Sequence, residues 1–241
     1  FVFVKLLDQR SRLLLPATAS TQGFECDARC LSRHEALPPQ PIRLYVAKMM
    51  GQGQLRFEDI SCQRGGRLLF ENLSFALGPG DAAVVSGPNG IGKSSLLRLA
   101  AGLLMAASGT IQRAGRIALA DESLALDRHL PLQEALGFWA KMDGGTTGKA
   151  LALVSLDHLA QVPVRMLSTG QRKRATLARI LASCSDIWLL DEPANGLDLA
   201  SLEMLSQMIA SHRASGGIVL AASHQSLGIE QAQDIRLEAR P

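Results

Sequence analysis

One stretch of eight residues constrains the fold of this chain more than any other. It follows the apolar run at 82–85 and reads Gly87, Pro88, Asn89, Gly90, Ile91, Gly92, Lys93, Ser94. This G-x-x-x-x-G-K-[ST] spacing is typical of a phosphate-binding loop between a buried strand and a helix. The glycines let backbone N–H groups turn toward a phosphate, Lys93 adds a cation, and Ser94 can place its hydroxyl on Mg²⁺. Together with Ser95, the stretch predicts a nucleoside triphosphate site in an α/β fold, although a flexible turn is the alternative for so short a motif.

A second segment places two carboxylates after an apolar run. Residues 187–190 are Ile, Trp, Leu and Leu, and Asp191 and Glu192 follow them. Short apolar runs of this kind fill buried parallel strands. At the tip of such a strand Asp191 can hold Mg²⁺, directly or through water, and Glu192 can act as general base on an attacking water. Taken alone, the pair could also be a solvated acidic cap on the strand.

A third segment points to a superfamily. Leu167, Ser168, Thr169, Gly170 and Gln171 are similar to the L-S-G-G-Q signature of ATP-binding-cassette ATPases, with Thr169 in place of the first glycine. Apolar residues at 177, 180 and 181 predict a helix that begins at this segment. In that superfamily the signature contacts ATP bound to the opposite subunit, so the resemblance implies a homodimer of cassettes. The basic cluster at 172–174 could suggest nucleic acid, but the superfamily is routinely basic there, and we expect no nucleic-acid partner.

Two further segments match the same superfamily. Asp198 ends the Asn-Gly-Leu-Asp run that begins at residue 195, at the spacing of the D-loop along the dimer seam. His224 follows the apolar run that begins at Gly217 and matches the switch histidine that contacts the γ-phosphate. A histidine after a strand is otherwise often a surface residue. The resemblance therefore implies that Glu192 and His224 are the catalytic residues, and that ATP and Mg²⁺ are bound.

The chain departs from the superfamily at two positions. Arg64 stands where an adenine-stacking aromatic residue is usual; because a guanidinium can stack on a purine, we expect adenine binding with weak selectivity among bases. The Q-loop glutamine has no counterpart, and Glu122 is the best match, with Asp121 as the competing assignment. A carboxylate in this position could reach the metal, but it adds negative charge near the γ-phosphate.

The order of elements predicts an α/β fold, a RecA-like P-loop NTPase core with an antiparallel β edge and an inserted helical subdomain. We expect the cassette to span residues 49–241, with the helical subdomain at about 122–166. The expected elements include a helix from Lys93 to Leu104, a strand near 116–119, a helix near 199–213, and a short tail after the strand that leads to His224. Residues 1–48 lack periodicity and are rich in proline near 38–41, which predicts disorder or a misplaced start.

Composition adds few constraints. No apolar stretch approaches the roughly 18 residues of a membrane span. The four cysteines, at 26, 30, 62 and 184, do not form a disulfide framework, which is consistent with a reducing compartment. Two alternatives concern the N-terminal segment: charged residues break its faint likeness to a secretory signal, and Cys26, Cys30 and His34 would need a fourth ligand to hold a metal or haem.

From Leu55 onward the chain resembles the ATP-binding subunits of cytochrome c maturation haem exporters. The likeness lies in residues 70–75, 87–98, 103–109, 167–179 and 221–227. The resemblance implies an ATPase at the cytoplasmic face of the bacterial inner membrane, attached peripherally to a separately encoded, CcmB-like integral membrane permease and associated with haem-handling proteins. The motifs alone indicate only ATP hydrolysis. A cassette of a lipoprotein or multidrug exporter, and a soluble cassette ATPase without a permease, remain alternatives.

Overall fold

The computed structural model of the chain describes residues 53–121 and 123–238. The expectations for residues 1–48, for the Cys26, Cys30 and His34 group and for Glu122 lie outside this part. The described strands and helices, in chain order, are β1 (Gln54–Arg64), β2 (Arg67–Leu77), β3 (Ala82–Ser86), α1 (Lys93–Ala100), β4 (Ser108–Ala114), β5 (Ile117–Ala120), α2 (Leu132–Asp143), α3 (Thr147–Leu153), α4 (Thr169–Ala182), β6 (Ile187–Asp191), α5 (Leu199–Ala214), β7 (Ile218–Ala222) and β8 (Gln233–Arg236).

The antiparallel edge is a three-stranded sheet in the order β2-β1-β4. β1 and β2 form a hairpin whose turn residues Gly65 and Gly66 both have positive φ, the geometry that suits the right-handed twist of the paired strands. Phe57 of β1 and Phe75 of β2 stack with their ring centroids 4.4 Å apart on the buried face. This pair anchors the edge sheet on the core.

The central sheet has five parallel strands in the order β5-β6-β7-β3-β8. Successive side chains of β6 and β7 enter two different apolar clusters, one on each face of the sheet. Both strands are therefore buried on both sides, which explains the apolar runs at 187–190 and 218–222. Because the strands are parallel, the segments that follow β3, β5, β6 and β7 leave the sheet at one edge, where ligands bind in open α/β sheets.

The predicted fold class is confirmed, an α/β cassette with an antiparallel edge, but several element bounds differ from the expected ones. α1 ends at Ala100, not at Leu104, because Gly102 takes φ 74° and its N–H closes onto the Leu99 carbonyl. β4 was not expected, since its mostly exposed side chains carry no apolar alternation. The expected tail contains β8, which pairs with β3.

The region between β5 and α4 contains α2, α3 and two short 3-10 turns. α2 and α3 pack against α4, so this region and the signature helix share one apolar cluster. Within the described residues, no helix has both the length and the apolar character needed to cross a membrane.

Candidate active site

The loop between β3 and α1 has a shape that only glycine permits at two positions. Gly87 has φ 141°, and a Cβ there would lie 2.5 Å from the Leu237 carbonyl oxygen. Gly92, the N-cap of α1, has φ 115°, and its Cβ would press on the Leu69 side chain at 3.2 Å. The loop therefore turns tightly into the N-terminus of α1, where backbone N–H groups and the helix dipole favour an anion.

Lys93 directs its ammonium group into this loop. Its Nζ donates to the carbonyl oxygens of Gly87 at 2.8 Å and Pro88 at 3.3 Å, and the residue is 7% exposed. A buried cation needs such partners. The same ammonium lies 3.4 Å from Nε2 of His224, so Lys93 connects the phosphate loop with the segment after β7.

Asp191 ends β6 and lies beside Ser94 at the start of α1. Burial raises the pKa of the Asp191 carboxyl above its ordinary value, while a side-chain hydrogen bond from Ser94 and the charge of Arg98 oppose the rise. The negative charges of Glu192 and Asp121 add to the rise in pKa. A partly desolvated carboxylate among other negative charges is a favourable place for a cation.

Glu192 and His224 are in direct contact. Oε1 of Glu192 lies 2.9 Å from Nε2 of His224, and the backbone N–H of His224 donates to Oε2 at 3.3 Å. Within the described residues Oε1 of Glu192 has no partner in hydrogen-bond geometry, so the 2.9 Å approach to Nε2 is a close polar contact that becomes an ion pair when His224 is protonated; in the tautomer without a proton on Nε2, that nitrogen can accept from Lys93. Glu192 has φ 47°, and its N–H donates to the Ala222 carbonyl, which orients its side chain toward the histidine.

These five side chains fit a magnesium nucleotide. The loop and Lys93 suit the phosphates, while the Ser94 hydroxyl and the Asp191 carboxylate are oxygen donors of the kind that Mg²⁺ prefers. No cluster of three or more His, Cys, Asp or Glu side chains that could hold a metal occurs in the described residues. This donor set suits Mg²⁺, which is commonly held by one or two carboxylates together with substrate phosphates.

The signature residues form the start of α4, as expected. Ser168 is the N-cap: its Oγ accepts from the Gln171 N–H, and its own N–H donates to Oε1 of Gln171. This reciprocal capping box fixes Ser168 and Gln171. Thr169 is the first helical residue and Gly170 the second, while Leu167 is buried just before the helix.

Asp198 and Arg64 lie on other elements. Asp198 caps α5 through a 2.8 Å bond from the Ser201 N–H, and hydrogen bonds from Ser201 lower the pKa of its carboxyl. Arg64 is an exposed residue at the end of β1. Across residues 53–121 and 123–238, no hydrogen bond or ion pair joins Asp198, Arg64 or the signature to Lys93, Asp191, Glu192 or His224.

The sequence reasoning omitted one charged residue at the site, Arg98. It follows Ser94 by four residues on α1 and therefore lies on the same helix face. The four-residue spacing from Ser94 could therefore have identified Arg98 as a candidate site residue. The competing Q-loop residue, Asp121, is among the charges that act on Asp191; Glu122 remains outside the described residues.

Comparisons with known proteins give matches to one family. The family model described as "ABC transporter" matches residues 70–195. The "Cytochrome c biogenesis ATP-binding export protein CcmA" of Zymomonas mobilis is 57% identical over 190 residues, which cover 78% of this chain and 86% of the relative. The protein of the same name from Sphingopyxis alaskensis is 55% identical over 184 residues, covering 75% and 95%.

A solved structure gives the same fold. The ATP-binding cassette of an ABC transporter in its ADP conformation superposes with a TM-score of 0.61 at 22% identity, covering 72% of this chain and 82% of that one. At this identity the likeness concerns the fold alone. The family match and the curated relatives identify the chain as an ATP-binding, ATP-hydrolysing member of the ABC transporter family, within its CcmA group.

Proposed function

We propose that this chain is the ATP-hydrolysing subunit of an exporter that serves cytochrome c biogenesis, with haem as the exported cargo. The convergence of Lys93, Glu192 and His224 within hydrogen-bond distance carries the enzymatic part of the proposal. The names of the relatives from Zymomonas mobilis and Sphingopyxis alaskensis support the biological part. Residues 49–241 are the proposed cassette, with its helical subdomain at about 122–166.

The phosphate loop binds the triphosphate of ATP. Its residues are Gly87, Pro88, Asn89, Gly90, Ile91, Gly92, Lys93, Ser94 and Ser95. Lys93 exchanges its contacts with loop carbonyls for β- and γ-phosphate oxygens, because a doubly anionic partner outweighs two neutral acceptors. Ser94 and Asp191 would hold Mg²⁺, and Glu122, or its competitor Asp121, is the proposed Q-loop residue. When bound, Mg²⁺ neutralises charge that develops on the phosphate oxygens.

Glu192 and His224 promote the hydrolytic step. The Glu192 carboxylate accepts the proton of the attacking water as the bond to the γ-phosphorus forms and the bond to the β-bridging oxygen breaks. His224 holds the carboxylate in position and interacts with the γ-phosphate. The 2.9 Å contact between the two side chains supports this pairing.

A second copy of the chain completes each site. In the proposed homodimer the signature, Leu167 to Gln171, contacts the nucleotide bound to the opposite subunit, and Asp198 lies along the seam. The start of α4 supports this role, because the capping box uses the N–H groups of Ser168 and Gln171 and not those of Thr169 and Gly170 at the helix N-terminus. Arg64 stacks on the base.

The proposed partners are a CcmB-like integral membrane permease and haem-handling proteins, with no nucleic acid. The cassette would lie peripherally on the cytoplasmic face of the bacterial inner membrane. Its similarity to named export proteins supports an association with a permease.

Complementation tests this proposal. The chain is produced together with the permease encoded in the same genome, in a host that lacks its own CcmA. The amount of membrane-bound cassette and the amount of haem-stained cytochrome c are then measured. We expect the chain to co-purify with the permease and to restore cytochrome c. The Lys93→Ala variant should co-purify equally but restore none. Unrestored cytochrome c with the unaltered chain, or capture of another exporter's permease, would contradict the haem assignment.

A further inference from the structure

Arg179 is a buried cation that the hydrolytic mechanism does not use. It lies in α4, whose N-terminus carries the signature residues, and it is 6% exposed. A guanidinium in such a place must be held by fixed partners, since desolvation opposes its charge. The partners of Arg179 therefore show which other strands and helices α4 contacts at this position.

Two of its contacts lie on different elements. Nη2 of Arg179 donates to the carbonyl oxygen of Leu119 near the end of β5. Its guanidinium carbon lies 5.1 Å from the ring centroid of Trp139 in α2, a cation–π arrangement. The indole Nε1 of Trp139 in turn donates to the carbonyl oxygen of Ala125 at 2.8 Å. Arg179 is thus bonded directly to Leu119 and linked to Ala125 through Trp139.

Leu119 lies on β5, the strand that runs beside the proposed metal site. β5 pairs in parallel with β6, with Leu119 opposite Leu189 and Ala120 opposite Leu190. The next residue of β5's chain, Asp121, therefore emerges beside Asp191.

We propose that Arg179 is a positioning residue for ATP hydrolysis, which ties the signature helix to the end of β5 and so sets Asp121 beside the magnesium-binding Asp191. This inference rests on the proposed role of Asp191 as a metal ligand. Because α4 is a rigid helix, a shift of its signature end moves Arg179 and with it the two anchored carbonyl groups. Engagement of the signature by the partner subunit is thereby transmitted to the metal site within the same chain.

The test measures the magnesium concentration that half-saturates ATP hydrolysis and fluorescent-ATP binding by the full chain. Arg179→Gln should raise this magnesium concentration at least fivefold and lower kcat at least tenfold. The KM for ATP, measured at saturating Mg²⁺, should change less than threefold. For Arg179→Lys, the half-saturating magnesium concentration and kcat should lie between those of the unaltered chain and those of Arg179→Gln. Trp139→Phe keeps an aromatic face but loses the bond to Ala125, so it should raise the half-saturating concentration about twofold to fivefold; it also serves if Arg179→Gln does not fold.

The matched control is Arg213→Gln. Arg213 is also a partly buried guanidinium that donates to two backbone carbonyls, those of Gly80 and Glu230, but it lies away from the site. This control should lose some thermal stability and keep the magnesium dependence. If Arg179→Gln and Trp139→Phe only lower the melting temperature, as the control does, the inference is overturned. Asp191→Asn distinguishes a failure of this inference from a failure of the proposed metal site. If Asp191→Asn leaves the magnesium dependence of nucleotide binding unchanged, Asp191 is not the metal ligand.

Discussion

Acid should destabilise this fold through one buried imidazole, that of His212. The residue lies in α5 with none of its surface exposed, and its ring stacks on Trp188 with centroids 3.8 Å apart. Nε2 lies 3.3 Å from the Ile218 carbonyl oxygen, and within the described residues Nδ1 is buried without a hydrogen-bond partner. Burial lowers the pKa of His212 from 6.5 to about 4, against smaller opposing effects of Ile218 and Asp186.

The sign and size of the effect follow from linkage. Because the folded pKa lies below the unfolded one, the unfolded chain binds more protons between pH 6.5 and about 4. The contribution of His212 to the free energy of unfolding is therefore intact above pH 6.5 and is lost as the pH falls toward 4. The loss amounts to about 2 kcal/mol at pH 5 and about 3 kcal/mol at pH 4.

Urea unfolding at pH 7.5 and pH 5.0 measures this loss. In His212→Phe an aromatic ring still stacks on Trp188, but nothing titrates there. The free energy of unfolding of the unaltered chain, taken relative to this variant, should fall by about 2 kcal/mol between the two pH values. The exposed His158 provides the control, since His158→Asn should keep the acid sensitivity. An equal loss of stability in the unaltered chain and in His212→Phe would refute the reasoning.

Three other predictions concern packing and the site. A Cβ at Gly217 would overlap the His212 ring, so Gly217→Ala should lower the free energy of unfolding by about 1–3 kcal/mol, measured by thermal unfolding. Gly148→Ala, with open space around its Cβ in α3, should instead raise the free energy of unfolding by roughly 0.5–1 kcal/mol. Equal melting temperatures for the two variants would contradict this packing. Asp191→Asn removes a desolvated charge and should raise the melting temperature in EDTA while it abolishes hydrolysis, and a lower melting temperature would contradict the raised pKa. Arg64→Tyr should lower the KM for ATP several-fold, because a tyrosine ring offers a larger stacking surface than a guanidinium; an unchanged KM would show that residue 64 does not stack on the base.

The elements that the sequence predicted best are those with uninterrupted patterns. β7 is apolar throughout and β6 is apolar up to its last residue, Asp191, because both faces are covered, and the signature helix has a clear cap at Ser168. β4 could not be found in this way, because its side chains are mostly exposed and its place is set by backbone pairing with β1. The end of α1 depended on the turn at Gly102, which local propensity does not reveal.

The sequence indicated candidate residues for the site, but not which of them are in contact. Motif spacing indicated Lys93, Asp191, Glu192 and His224 separately. That Lys93 and Glu192 both contact His224 depends on the strand order β6-β7-β3, which is a property of the whole sheet. The bond from Arg179 to Leu119 joins residues 60 positions apart and has no local signal.

The central claim is that Glu192 activates water for ATP hydrolysis. Phosphate release by the Glu192→Gln variant tests it most directly, since glutamine fills the same space beside His224 but cannot accept the proton. With Glu203→Gln on the exposed face of α5 as control, turnover by Glu192→Gln should fall about 10²–10⁴-fold while the affinity for ATP stays within about threefold. Phosphate release at the unaltered rate would contradict the account.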